Sequence, residues 1–128
     1  MQRCGRLLDE MIADQYHECF ETFTGKVLSE LCQQAKEFDN KNDRIASKSV
    51  SVCALEDGYV LCLGYKETTP EKDYPVNFQI VNIGEVPPET LNDAVEAASA
   101  LIESEVICHA LYYETVERSF VIVFLVHA

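Results

Sequence analysis

The sequence predicts an α+β fold in which two helices cover one five-stranded antiparallel sheet. Three observations lead to this prediction: apolar residues at helical spacing over residues 1–38, runs of alternating apolar residues between turn signals, and a second helical stripe after residue 86. The length of 128 residues suits one domain of ordinary size. We therefore expect a single α+β domain, 1–128, with a long amphipathic helix at 1–38 and a sheet with one helix at 49–128.

The first element is a predicted long helix from about Arg6 to Phe38. Gly25 interrupts it at a cost of about 1 kcal/mol relative to Ala, and Thr24 offers a cap for a separate second helix. Because the stripe keeps its phase across Gly25, one long helix with a kink is the preferred interpretation. The apolar residues recur at steps of three and four: Leu8, Met11, Ile12, Tyr16, Cys19, Phe20, Phe23, Val27, Leu31, Ala35 and Phe38.

A hairpin follows a polar loop at 39–44. Its strands, Ser49–Leu55 and Tyr59–Tyr65, flank the dipeptide Asp57-Gly58, which favours a two-residue turn with positive φ. The resulting register places one apolar face toward the core, made of Val50, Val52, Ala54, Leu61, Leu63 and Tyr65.

The remaining elements are a third strand, a short acidic helix and a C-terminal hairpin. Tyr74–Ile83 alternates apolar and polar residues, which is typical of a half-buried strand. The sequence at 86–89 opens a helix, because proline and acidic residues suit a helix N-terminus. Val106–Thr115 and Ser119–Ala128 form the last hairpin, and the final strand is apolar on both faces, which is typical of a strand covered on both sides.

Two cysteines of the first hairpin form a possible redox pair. The predicted register sets Cys53 directly opposite Cys62 at a position where side chains approach closely, within reach of disulfide geometry. The alternative is a pair of small thiols packed under a helix, since a buried free cysteine behaves as a small hydrophobe.

Aromatic and cysteine side chains of the two hairpins form a candidate ligand site, at Tyr65, Cys108 and Tyr112. The alternative is that the tyrosines only cover the edge of the core. The register of the last hairpin decides whether His127 neighbours Cys108, as in a nucleophilic pair, or His109, as in half of a metal site. Neither pair has a recognisable third member, so we predict no catalytic residue, no metal and no cofactor.

Negative charge is the most distinctive feature of the sequence. The net charge is −12, and residues 85–128 hold eight acidic residues and one base. This charge excludes nucleic acid and anionic membranes as expected partners. Glu89, Asp93 and Glu96 recur at steps of four and three on the second helix, so they share an outward face. One interpretation is a face that attracts a basic partner, either a protein segment or a polyamine, and the alternative is a face that only solubilises the chain.

The chain opens without a signal-peptide pattern, and its longest apolar run, Phe120–Val126, is too short for a membrane helix, so a cytoplasmic protein is expected. The order helix, three strands, helix, two strands and the acidity resemble small acidic secretion chaperones. The resemblance implies a homodimer that wraps unfolded protein segments. It covers element order and charge alone, and the terminal helix usual in those chaperones is absent here.

The leading hypothesis is therefore a non-enzymatic, acidic protein-binding module, adaptor-like or chaperone-like, that acts as a homodimer through exposed strand or helix surfaces. One alternative is a small-ligand-binding or enzymatic domain that uses the Tyr, Cys and His residues of the hairpins. A second alternative is an acidic inhibitor that imitates nucleic acid or blocks a basic active site.

Overall fold

A computed structural model describes residues 18–128, which form an α+β fold of two α-helices and six strands. In chain order the elements are β1 (Cys19–Gly25), α1 (Leu28–Lys41), β2 (Ile45–Leu55), β3 (Gly58–Glu67), β4 (Val76–Gly84), a 3-10 turn (Pro88–Thr90), α2 (Leu91–Ala100), β5 (Val106–Glu114) and β6 (Ser119–His127). The strands make two antiparallel sheets, ordered β1-β3-β2 and β4-β6-β5. The prediction of one five-stranded sheet is therefore wrong. Within residues 18–128, neither helix is long and apolar enough to cross a membrane.

The predicted helix from Arg6 to Phe38 is wrong in its central part, because Cys19–Gly25 forms a strand and α1 begins only at Leu28. Its first section, residues 6–17, lies outside the described residues. Burial in β1 alternates from residue to residue, as the side chains of a strand point to opposite faces. Two threonines and two phenylalanines lie in this strand, and both residue types favour β structure. The spacing of the apolar residues also fits a helix, so the apolar pattern did not distinguish a helix from a strand.

The hairpin of β2 and β3 has the core face that its alternation predicts, with Val50, Leu61 and Leu63 buried. Its register differs from the predicted one by one residue on each strand. Leu55 pairs with Gly58, so the two-residue loop is 56–57 instead of 57–58. This shift keeps every side chain on its predicted face.

Helix α1 covers one face of both sheets. Its residues Leu28, Leu31 and Ala35 pack in the main core with residues of β2 and β3 from the first sheet and of β4, β5 and β6 from the second. The two sheets stand side by side, because Cα atoms of β2 and β5 lie within 8 Å of each other although the strands do not pair. Helix α1 therefore packs across both sheets, which also contact each other directly.

Helix α2 covers the opposite face of the second sheet. Ala98 packs there with Ile122, Phe124 and Val126 of β6. The last strand is thus buried on both faces, as its unbroken apolar run predicts. The helix begins at Leu91, later than predicted, because residues 88–90 form a 3-10 turn.

A buried ion pair fixes the C-terminal end of α1. The Asp39 side chain is 1% exposed, and its Oδ1 lies 2.8 Å from Lys72 Nζ. Ser47 Oγ donates a hydrogen bond to Asp39 Oδ2, and Lys72 Nζ donates to the carbonyls of Asp39 and Asn42 at 2.9 and 3.2 Å. The ammonium therefore satisfies carbonyl groups at the negative end of the helix, where a cation is favoured.

Candidate functional site

An open cleft of about 600 Å³ lies at the end of the molecule where the β2–β3 and β5–β6 turns meet. The connection from β1 to α1 contributes a third segment to its wall. We call it the turn-end cleft; it is lined by Lys26, Leu55, Glu56, Asp57, Gly58, Tyr59, Glu114, Val116 and Glu117. Its volume is in the range of sites that bind small ligands or single side chains of a partner.

Gly58 allows the first hairpin to approach the chain that follows β1. A Cβ atom at this position would lie 2.4 Å from the carbonyl oxygen of Gly25, so a side chain does not fit. The predicted reason for this glycine, positive φ in a turn, is wrong: in the described part of the chain, positive φ occurs at Gly84 and Arg118. Gly58 serves close packing of two backbone segments instead.

A buried carboxylate forms the floor of the cleft. Glu114 is 8% exposed, and Tyr59 Oη donates a hydrogen bond of 2.6 Å to its Oε2. The ring of Tyr112 packs edge-on against Tyr59, with centroids 6.1 Å apart. The hydrogen bond to Glu114, and then burial, raise the pKa of the Tyr59 phenol above its ordinary value. The phenol therefore stays protonated and keeps donating to the carboxylate at neutral pH.

The cleft is strongly acidic. Its lining carries four carboxylates and one ammonium group, a net charge of −3. The Glu114 carboxylate has a neutral phenol as its partner, and the ion pairs among residues 18–128 give it no cation. Two apolar side chains, Leu55 and Val116, lie exposed on the rim. The arrangement is suited to a cationic group that carries an apolar stem.

An ion pair links the β5–β6 turn to the segment before α2. Arg118, in the β5–β6 turn, lies 3.4 Å from Glu85, which follows β4. The chain then enters the segment of the predicted partner-binding residues, Glu89, Asp93 and Glu96, and all three are exposed. Asp93 and Glu96 lie on α2, whereas Glu89 lies in the preceding 3-10 turn. Their role in binding a partner stays a prediction.

The predicted ligand residues do not surround one cavity. Tyr65 is 2% exposed and packs with Cys19 and Ile45 in a small cluster at the opposite end of the first sheet. Cys108 and Tyr112 pack against the main core. Burial raises the pKa of the Cys108 thiol to about 11, so its thiolate is scarce at neutral pH. Tyr112 alone lies next to the turn-end cleft, through its contact with Tyr59.

The predicted redox pair is not directly cross-strand. Cys53 pairs with Val60, and Cys62 pairs with Ser51, so the two cysteines stand on one face in diagonal positions. Diagonal Cα atoms are about 7–8 Å apart, beyond ordinary disulfide reach. Both thiols are free.

The two histidines of the last hairpin lie on different faces. His127 stacks on Tyr74, with ring centroids 4.2 Å apart, and its Nε2 lies 3.8 Å from Glu105 Oε2. His109 pairs with Phe124 and packs on its ring. The β5–β6 loop has an even number of residues and Cys108 pairs with Leu125, so Cys108 shares a face with His127, as the first alternative expects, whereas His109 lies on the other face. Residues 18–128 hold no group of three His, Cys, Asp or Glu side chains able to bind a metal.

Glu114 is the site residue that sequence reasoning missed. A signal was available, since Ala110, Tyr112 and Glu114 alternate on the core-facing side of β5, and a carboxylate on a core-facing position is unusual. The convergence of two turns on Lys26 was not predictable, because it depends on how the sheets lie beside each other. Comparison with known protein families, curated proteins and solved structures finds no match to this chain.

Proposed function

We propose that this protein is a protein-binding module that takes a basic segment of its partner into the turn-end cleft. The observation that carries the proposal is the buried Glu114 carboxylate, which lines an open cleft and is balanced by no cation among the described ion pairs. A buried carboxylate gains most from an opposite charge, because solvent screens it little.

The remaining lining residues favour a lysine or arginine side chain as the occupant. Glu56, Asp57 and Glu117 stand around the opening and attract cations over a longer range. The exposed Leu55 and Val116 offer apolar contact to the methylene groups of such a side chain. Tyr59 adds an aromatic ring to the wall, which interacts favourably with a cation over its face.

The exposed carboxylates on and before α2 favour a partner segment that is longer than one side chain. Glu85 lies at the same end of the molecule as the cleft, because Gly84 pairs with Phe120 beside the β5–β6 turn. The exposed Glu89, Asp93 and Glu96 follow Glu85 along the chain. A basic segment seated in the cleft therefore has further carboxylates to meet along the chain. Homodimer formation stays a separate prediction.

A binding assay with a short labelled peptide rich in Lys tests the proposal. We expect the Lys-rich peptide to bind and a peptide with Glu in place of Lys not to bind. The affinity is expected to decrease as the salt concentration rises from about 50 to about 200 mM, because salt screens exposed charges. Neutralising the opening with Glu56→Gln, Asp57→Asn and Glu117→Gln is expected to weaken binding by about tenfold, from three exposed pairs of about 0.5 kcal/mol each.

The matched control neutralises two glutamates and one aspartate away from the cleft, with Glu37→Gln, Asp43→Asn and Glu103→Gln. All three control residues are exposed, so the net charge changes equally in both variants. We expect the control to bind as the original chain does. Equal weakening in both variants would show that the peptide responds to overall charge and not to the cleft.

A further inference from the structure

Strand β4 is an outer edge of the second sheet. Among residues 18–128 it pairs with β6 on one side and with no strand on the other. The inner edges of the two sheets, β2 and β5, stand beside each other, so β1 and β4 are the outer edges. β1 carries Glu21, whereas the nine residues of β4 include neither a charged residue nor a proline. Charges and prolines commonly keep edge strands from pairing with another chain, and β4 lacks both.

Hydrogen bonds at the start of β4 show which backbone groups face outward. The side-chain amide of Asn40 bonds both backbone groups of Val76: its Nδ2 donates to the carbonyl at 3.3 Å, and its Oδ1 accepts from the N–H at 2.9 Å. Asn40 therefore stands where a peptide group of an added strand would stand. Because backbone groups alternate in direction along an antiparallel strand, those of Phe78, Ile80 and Asn82 point away from β6 as well.

The open stretch of this edge is short and is centred on Ile80. On one side of it, the Phe78 N–H already donates to Asn77 Oδ1 at 2.9 Å. On the other side, the register with β6 shifts between Asn82 and Gly84. The outward groups between these limits are the Phe78 carbonyl, both backbone groups of Ile80 and the Asn82 N–H. They are arranged symmetrically, with an acceptor two residues before Ile80 and a donor two residues after it.

A groove of about 200 Å³ lies beside the open stretch, between β4 and α1. Helix α1 contributes Ser29, Cys32 and Lys36 to its wall, and Lys36 is the one charged side chain in the lining. Ile80, on the β4 side, is 42% exposed and belongs to none of the buried clusters of the described chain. A strand added to β4 would close the open side of this groove and cover Ile80.

We propose that a second copy of this chain pairs with β4 in the antiparallel direction, with Ile80 opposite Ile80. In this register the two Ile80 residues exchange both of their backbone hydrogen bonds. The Phe78 carbonyl of each chain accepts a hydrogen bond from the Asn82 N–H of the other. The second sheets of the two chains then form one continuous six-stranded sheet. This contact lies on a different surface from the turn-end cleft and does not depend on the proposed peptide binding.

Charge favours a second copy as the occupant of this edge. Each chain has a net charge of −12, so two copies repel each other unless their contact surface is free of carboxylates. β4 and the lining of the groove carry no carboxylate. A basic segment finds no opposite charge here, whereas the cleft offers it four carboxylates. The symmetric order of acceptor and donor about Ile80 also suits a strand identical to β4.

Sedimentation velocity of the full chain tests the proposal. We expect a monomer–dimer equilibrium between about 1 and 100 µM protein. The dimer fraction is expected to rise between about 50 and 200 mM salt, because salt screens the repulsion between two acidic chains. Peptide binding by the cleft is expected to respond to salt in the opposite direction, so the two proposals fail independently.

Two lysine substitutions show whether the dimer forms through β4. Ile80→Lys sets two like charges opposite each other and is expected to raise the dimer dissociation constant by about tenfold or more. Leu101→Lys places the same charge on an exposed apolar residue away from β4, and it is expected to dimerise as the original chain does. A chain that stays monomeric at about 100 µM, or a dimer that Ile80→Lys leaves unchanged, would overturn the proposal.

Oxidative cross-linking tests the register independently of the lysine variants. Opposite residues of a hydrogen-bonded pair have Cα atoms about 5.5 Å apart, within disulfide reach. We expect Ile80→Cys to join to itself when diamide takes up the two electrons and two protons of the thiol pair, as shown by peptide mapping. Asn82→Cys is the control, because its two copies stand four residues out of register, about 13 Å apart. A self-link in Asn82→Cys and none in Ile80→Cys would contradict the pairing.

Discussion

The two buried carboxylates of residues 18–128 lie toward opposite ends of the fold, and they have opposite kinds of partner. Asp39, at the C-terminal end of α1, has the ammonium of Lys72 at 2.8 Å and the hydroxyl of Ser47 as partners. Glu114, at the turn end, has the neutral phenol of Tyr59 at 2.6 Å. The first carboxylate has a cation as its partner inside the fold, whereas the second has a neutral phenol as its partner beside an open cleft.

This difference separates a structural carboxylate from one available for binding. The Asp39 pair ties residue 72 of the β3–β4 connection to the end of α1, and Lys72 Nζ also donates a hydrogen bond to the Asp39 carbonyl. The Glu114 carboxylate is held in place without being neutralised, which keeps its attraction for an incoming cation. Substitutions at the two ends are therefore expected to affect different properties.

The largest expected effect is on stability at the Asp39 end. Asp39→Ala leaves the Lys72 ammonium buried without its counter-ion, and we expect the free energy of unfolding to fall by about 3–5 kcal/mol. Urea unfolding followed by circular dichroism measures this loss. The exposed Asp43→Ala is the control and is expected to change stability by less than about 0.5 kcal/mol. A loss below about 1 kcal/mol for Asp39→Ala would show that the pair is not structural.

A smaller loss of stability is expected when a side chain is placed between the two backbone segments that meet at Gly58 and Gly25. Gly58→Ala places a Cβ atom 2.4 Å from the Gly25 carbonyl oxygen, so one segment must move. We expect a loss of about 1–3 kcal/mol in unfolding free energy, as for other overpacked sites. The neighbouring Asp57→Ala serves as the control, because Asp57 is exposed. Equal stability of the two variants would mean that Gly58 is not needed for the approach.

The smallest expected effect is on the pH dependence of stability. The pKa of Tyr59 is raised in the folded state, chiefly by its hydrogen bond to Glu114, so its contribution is present below pH about 10 and is lost as pH rises through the folded pKa. Tyr59→Phe therefore flattens the fall in unfolding free energy as pH rises above about 10. Urea unfolding at several pH values measures the slope. A slope identical to that of the original chain would contradict the hydrogen bond.

Strand alternation made part of the fold predictable from the sequence. The buried positions Leu61 and Leu63 and the doubly covered last strand followed from the pattern of apolar residues. The segment Cys19–Gly25 did not, because its two phenylalanines are three residues apart, which fits the helical period, and they lie on opposite faces of the strand. Its pairing with β3 is a contact distant in the sequence, and periodicity carries no information about such contacts.

The site was less predictable than the fold. Glu56 and Asp57 were placed in a turn, but their convergence with Glu117 depends on two sheets standing side by side. The tyrosines of strand ends were recognised as candidates, and Tyr112 does lie beside the cleft. Tyr65 lies instead in a closed cluster at the other end, a difference that no local pattern indicates.

Peptide binding by Glu114→Gln tests the central claim most directly. Glutamine keeps an oxygen that accepts the Tyr59 hydrogen bond, so the variant removes the buried charge with little change in shape. We predict that it binds the Lys-rich peptide about tenfold more weakly in a fluorescence anisotropy titration, while its unfolding free energy stays within about 1 kcal/mol of the original. The exposed Glu103→Gln is expected to bind normally. Undiminished binding by a folded Glu114→Gln would contradict the account.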